Sequence, residues 1–256
     1  MYKRLDMKIY NTDTFEKLKI RPVNVNDLSH YKVVKNVLTD VEGNSYDGIV
    51  INNKMWMASN FRSTRYLDGT EIPRFKDTDG GYSAYFEYPN ITKSKLKQYG
   101  LYYNYKAIKT GDLIPEGWHV PTFDEWQDLL DYLTNSKYNL SPNKKSYVGS
   151  DIAKSLCSTE GWDDDPGETD EKLVCVNQSN NNSTGFGAYP SGFWSSFDHI
   201  KSGISLGFST VFWSSTPYNI KESDRMWCFE MRCRWSNVHA FDGCARFGHS
   251  IRCIKD

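Results

Sequence analysis

At 256 residues and 29.6 kDa the chain is sized for one large domain, or a domain with a small appendage, and can bury a sizeable core without metals or bridges. Its 31 basic and 32 acidic residues leave a formal net charge of −1, which argues against electrostatic binding of nucleic acid or an acidic membrane. The mean hydropathy is −0.64, and no apolar run approaches the roughly 20 residues of a membrane-spanning helix.

Residues 1–36 mix charge with isolated apolar positions such as Ile9, Phe15 and Leu18, and read as an N-terminal arm for attachment or oligomerisation. Part of it can alternate as a strand, and part can form a short helix ending near His30. The first residues are charged throughout and lack the apolar core of a secretory signal, so the expectation is that the chain is not exported by the usual route. From Val37 the punctuation becomes regular. Asp40 to Asn44 is a turn signal, Tyr46 to Trp56 offers two short strands around Asn52-Asn53, and Asp68-Gly69 marks a second tight turn. Residues 74–98 read as an excursion, and Tyr99 to Ile108 as a buried aromatic strand. The clearest helix begins at Thr122: Thr122 and Glu125 form a capping box, and Phe123, Trp126, Leu129, Leu130 and Leu133 share one face. A short helix is expected around Asp151–Leu156, then loop through 158–185. Short strands follow near Phe212–Ser214, Met226–Arg232 and Ser250–Ile254. Few helices and many short strands predict an α+β fold with extensive irregular structure. Aromatic content of 15%, with 8 Trp and 17 Tyr, suits a fold held by ring packing and a surface made for recognition.

Several segments, in order, resemble the repeated major domain of Fibrobacter succinogenes paralogues. They are Leu38-Thr-Asp-Val-Glu-Gly-Asn-Ser-Tyr46, Asn53-Lys-Met-Trp56-Met-Ala-Ser-Asn60, Tyr66-Leu-Asp-Gly69-Thr-Glu-Ile-Pro73, Tyr99-Gly-Leu-Tyr-Tyr-Asn104, Pro115-Glu-Gly-Trp118-His-Val-Pro-Thr122, Gly185-Phe-Gly-Ala-Tyr-Pro190, Phe212-Trp-Ser-Ser-Thr216 and Gly248-His-Ser-Ile-Arg-Cys253-Ile-Lys-Asp256. The resemblance covers residues 37–256 and leaves the arm outside. That family is similar to C-type lectin-like domains and to the related fold of formylglycine-generating enzymes. It implies two helices flanking small twisted antiparallel sheets, long loops on one face, and a C-terminal segment that pairs near the start of the domain. Two departures stand out. Ile114 occupies a position where the family often has the cysteine that partners Cys253, and residues 165–178 look like an insertion.

No HExxH, GxSxG, phosphate-loop or dinucleotide fingerprint is present. His119 lies in the Trp-His-Val-Pro motif, where the resemblance makes it architectural. Cys244 and His249 can be drawn as nucleophile and base, but nothing supplies an orienting third group. The six cysteines, Cys157, Cys175, Cys228, Cys233, Cys244 and Cys253, fit no common zinc spacing and read as free buried thiols or as one or two disulfides. Asp163 to Glu171 holds six acids in nine residues, which raises calcium as a thought, yet the spacing is not that of an EF-hand and a solvated acidic loop explains it. No metal, cofactor or catalytic residue is therefore expected.

Trp227 to His249 mixes Cys, Arg, Trp, His, Phe and Asp with no clear period, where the family is rich in Asn, Ser and Tyr. Related lectin-fold proteins include targets of diversity-generating retroelements, which turn AAC codons into NNC, and every residue from Asn237 to His249 is one that NNC can encode. A normal pair of strands with unusual side chains explains the same composition. The candidate ligand-binding residues are Arg232, Arg234, Trp235, His239, Phe241, Asp242, Arg246, Phe247 and His249: forked donors beside flat apolar contacts. The expectation is a non-enzymatic recognition module on a phage virion, reaching a host surface glycan or protein through this C-terminal face. Its arm would pack on a virion structural protein or on another copy of the chain, with no nucleic-acid partner and no membrane insertion. A Bacteroidetes cell-surface adhesin is the alternative, and a relative of formylglycine-generating enzymes ranks last.

Overall fold

The computed structural model describes residues 31–74, 85–86, 92–135, 151–195, 205–219 and 222–256. The strands are β1 (Val33–Thr39), β2 (Ser45–Ile51), β3 (Lys54–Met57), β4 (Tyr85–Phe86), β5 (Tyr102–Tyr103), β6 (Trp118–His119), β7 (Ser209–Asn219), β8 (Glu222–Arg232), β9 (His239–Cys244) and β10 (Ile254–Lys255). The helices are α1 (Lys93–Tyr99), α2 (Tyr105–Lys109), α3 (Phe123–Thr134) and α4 (Ala153–Leu156), with one 3₁₀ turn at Gln178–Asn180. The fold is α+β, built on small antiparallel sheets.

The first sheet runs β1-β2-β3-β10-β6. Its opening turn is organised by Asp40, whose carboxylate accepts from the Glu42 and Asn44 amides, the Asn44 side chain and the Tyr46 hydroxyl. The β2–β3 hairpin turns on Asn52 (φ 50°) and Asn53 (φ 59°). Two successive left-handed residues match the natural twist of paired strands, and asparagine tolerates that conformation better than most residues. The last strand returns to the first: Ile254 lies opposite Trp56 on one side and His119 on the other.

The boundary of the fold lies earlier than 37. Val33 and Val34 pair with Ile49 and Gly48, and Tyr31 covers Gly185 so closely that a Cβ there would sit 2.1 Å from its ring. Residues 31–36, assigned to the arm from sequence, thus belong to the folded unit, because β1 pairs with β2 and completes a sheet edge. Residues 1–30, with the helix expected near His30, lie outside the described residues.

In the second sheet, β7-β8-β9, the middle of β7 and of β8 is covered on both sides. Phe212, Phe229 and Met231 join one apolar cluster, while Val211, Trp213, Met226 and Cys228 join another. A strand covered on both faces reads as a near-continuous apolar run and not as an alternation. This accounts for the missing period in the first part of the Trp227–His249 stretch: Cys228, Phe229 and Met231 are core.

Helix α3 keeps the predicted cap. The Thr122 hydroxyl accepts from the Glu125 amide at 3.2 Å, and the Glu125 carboxylate accepts from the Thr122 amide at 2.9 Å. Trp126, Leu129, Leu130 and Leu133 are buried, with the Trp126 ring 5.1 Å from Trp56 and 5.0 Å from Phe229. Among the described residues four helical segments occur where two were expected, and only α3 exceeds two turns.

The expected strand over Tyr99–Ile108 is replaced by the end of α1, two paired residues and α2. Two local signals break the run. Gly100 sits at φ 71°, where a Cβ would meet Asn60 and the Phe61 carbonyl oxygen at 2.5 and 2.7 Å. Asn104 caps α2 by accepting from the Ala107 amide at 3.0 Å. Ser250–Ile254 likewise pairs as a strand only from Ile254. Its earlier residues stitch the two sheets together, Ser250 bonding to Val211 and Trp213 of β7, Ile251 accepting from Phe61 and Cys253 from Met57.

Arg252 lies at this junction with no exposed surface. Its guanidinium donates to Asn60 Oδ1 from Nε (3.0 Å) and Nη2 (2.7 Å), and to the carbonyls of Met57 and Phe186. It also stacks 4.3 Å from the Phe186 ring centroid. Burial pulls its pKa down to about 9.

Candidate recognition face

The end of β8 and the whole of β9 form the candidate face. Antiparallel pairing places Glu230 opposite His239, and Cys228 opposite Phe241. Alternation along both strands puts Glu230, Arg232, His239 and Phe241 on one side of the sheet. Arg232 donates to both oxygens of Glu230, at 2.8 and 3.0 Å, as a bidentate pair. The Glu230 side chain is only 5% exposed, so Arg232 and its neighbours shield this carboxylate from water. The Arg232 guanidinium also lies 4.4 Å from the Trp235 ring centroid.

From there the rings continue. Trp235 meets His239 edge-on at 5.6 Å, and His239 stacks on Phe241 at 6.1 Å with an interplanar angle of 8°. Phe241 borders His249, which Phe193, Trp213 and Phe247 also surround. The turn carrying Trp235 is held from below, since the Trp235 amide bonds to the Arg232 carbonyl and the Ala153 amide of α4 bonds to the Ser236 carbonyl. Trp235 and Phe241 are half-buried and His239 is exposed.

Four of the nine residues predicted from sequence, Arg232, Trp235, His239 and Phe241, thus share this face, and Phe247 adjoins it through His249. The other placements differ. His249 is 1% exposed and forms the floor under the phenylalanines. Neither of its ring nitrogens has a hydrogen-bond partner, and burial pushes its pKa down to about 3, so it stays neutral. The Cys244–His249 nucleophile–base pair is therefore not formed. Asp242 falls on the opposite side of the sheet, because adjacent strand residues point to opposite faces, and there it pairs with Arg225. Arg234 is exposed and brings one nitrogen, Nη2, to 2.5 Å from Asp165. Arg246 is exposed in the turn after β9.

The acidic stretch is spread over protein donors. Asp165 meets Arg234, Asp170 caps the Lys172 amide, and Glu171 accepts from the Asn177 side chain at 2.7 and 2.8 Å. Among the described residues no three His, Cys, Asp or Glu side chains group as metal ligands. The six cysteines are free thiols in this structure, and burial holds Cys157, Cys228 and Cys253 far above the usual thiol range. Ile114 packs against the same apolar cluster as Cys253.

Sequence reasoning missed Glu230 and Phe193. The signal for Glu230 was available: a charge two residues before Arg232 on one strand shares its face. Phe193 comes from a distant loop and carried none.

Neither the curated proteins nor the solved structures provide a match to this chain. Residues 49–255 match the Fibrobacter succinogenes major domain, and the chain belongs to that family.

Proposed function

We propose that the chain is a non-enzymatic recognition module of C-type lectin-like fold, which binds a host surface glycan or protein through the face built on β9. The observation that carries this reading is the continuous row of partly exposed rings, Trp235–His239–Phe241, fixed beside a sheet whose central strand packs into the core on both sides. Rigid aromatic side chains lose little conformational entropy on binding and dominate the energy of most interfaces. The return of β10 to β3 and the helix packed against the late sheet support the lectin-like reading of the fold. The high thiol pKa values and the neutral, buried His249 support binding without covalent chemistry.

The carrier we propose is a phage virion, with the N-terminal residues on a structural protein of the particle; on a cell surface the same face would serve as an adhesin. The test is retention of labelled full-length chain on immobilised bacterial envelope polysaccharides and outer-membrane protein fractions. Retention on at least one surface that is lost on replacing Trp235, Phe241 and Phe247 supports the reading. No retention on any surface contradicts it.

A further inference from the structure

The 158–185 segment has little regular structure, yet it is pinned beside the recognition face. The Cys175 amide donates to the Cys233 carbonyl at 2.8 Å, and the Val174 amide to the Trp235 carbonyl at 3.3 Å. Cys175 and Cys233 are 3% and 2% exposed and belong to one apolar cluster, which also contains Val174 and Met231. Residues joined by a direct backbone hydrogen bond sit side by side, at the spacing a disulfide spans, about 4.4–6.8 Å between Cα atoms. Cys157 belongs to the same cluster but packs its sulfur 3.7 Å from that of Met231, Cys228 and Cys253 lie in the second apolar cluster, and Cys244 sits on β9 opposite Arg225.

We infer that Cys175 and Cys233 form a disulfide site that locks the 158–185 segment onto the turn carrying Trp235. The oxidant class is a small-molecule disulfide such as oxidised glutathione. One cysteine thiolate attacks it, forming a mixed disulfide and releasing one glutathione thiol. The second cysteine attacks the mixed disulfide at the protein sulfur and releases the other. Two protein S–H bonds and the oxidant's S–S bond break; one protein S–S bond and two glutathione S–H bonds form. Two electrons and two protons pass to the oxidant. Both thiols are covered, so the reaction proceeds through local opening of the segment. Burial raises the Cys233 thiol to about 11 and also raises Cys175, so the rate climbs as pH increases above neutrality.

The experiment equilibrates the reduced full-length chain with excess oxidised glutathione at mildly alkaline pH. The chain is then denatured, free thiols are alkylated, and unreduced peptides are mapped by mass spectrometry. The expected result is one cross-linked pair containing Cys175 and Cys233, with Cys157, Cys228 and Cys253 alkylated. A rise in Tm of roughly 5–15 °C should accompany it, because the bridge closes a long loop. Cys175→Ala should abolish both the cross-link and the rise. Glutathione adducts on either cysteine without a cross-link would overturn the proposal, as would pairing of either with Cys157 or Cys244, or two unreacted thiols. If the variant does not fold, the peptide map of the parent chain decides alone.

Discussion

Arg232 closes its guanidinium on Glu230, two residues back on the same strand, with two parallel hydrogen bonds of 2.8 and 3.0 Å. The sequence reading gave Arg232 and Arg234 to the ligand as anion-binding forks. In the fold Arg232 is taken by Glu230, while Arg234 has one nitrogen on Asp165. The face thereby presents flat rings beside neutralised charge, and not a basic patch. Glu230→Gln removes the carboxylate and leaves Arg232 with a weaker, neutral partner. We expect a loss of about 1–3 kcal/mol in urea denaturation, because a charge-assisted bidentate pair is being broken at a shielded site. The double variant with Arg232→Met should recover part of that loss, and simple addition of the two single effects would show that the pair is not coupled.

Arg252 carries a second prediction. It is held by Asn60, two backbone carbonyls and the Phe186 ring. Arg252→Lys keeps the charge but replaces a planar fork with a point donor, which cannot serve both Asn60 and the carbonyls. A cost of about 2–4 kcal/mol is expected from the acceptors left without donors. Equal denaturation midpoints for variant and parent would show that the junction does not depend on the fork.

Trp126 and Trp118 are buried in the two apolar clusters. Replacing either with alanine should cost about 3–5 kcal/mol through cavity formation, with Trp126 at the upper end because aromatic rings enclose it. Thermal denaturation checks this, and a Tm within a few degrees of the parent would contradict it.

How much of this was readable beforehand depended on the range of the signal. The capping box at Thr122 and the left-handed pair Asn52-Asn53 depend on residues within one turn of the chain, and both are where the sequence placed them. Tyr99–Ile108 misled because its aromatic run reads as a strand, while the two residues that break it act through contacts with Asn60 and through a side-chain cap. On the candidate face, the aromatic row was legible as composition. The facing of Asp242 was not, because it depends on which residue of β9 opposes β8, and one step reverses the side. Burial of His249 depends on Phe193 and Trp213, which are distant in sequence.

His119 gives a pH-dependent prediction. Its Nε2 meets Glu125 at 2.9 Å and its Nδ1 meets Asp256 at 2.5 Å, clamping β6 to the N-terminus of α3 and to the residue after β10. Hydrogen bonding to Glu125 raises the His119 pKa against the opposing effect of burial, with Asp256 adding to the rise. A raised histidine pKa gives stability that is fully present below the unfolded value near 6.5 and is lost as pH rises through the folded value. For Glu125 burial opposes ionisation, but the bonds to His119 and Thr122 overcome it and hold the carboxyl down at about 2. Its contribution is present above the unfolded carboxyl range and is lost as pH falls toward 2. The clamp is therefore strongest in mildly acidic solution. Both ends are partly exposed, so the effect is modest: Tm should be about 1–3 °C higher near pH 6 than near pH 8.5 relative to His119→Gln. Parallel pH profiles for parent and variant would contradict it.

The central claim is that the rings on and beside β9 carry recognition, and the most direct measurement is binding by a folded chain from which they are removed. The triple variant Trp235→Ser, Phe241→Ser, Phe247→Ser should keep the near-ultraviolet circular dichroism of its core tryptophans. It should lose retention on whichever envelope fraction holds the parent chain, since aromatic anchors often contribute more than about 2 kcal/mol each. Undiminished retention of that folded variant would contradict the account and move the site to another surface, with the 158–185 segment as the next to be tested.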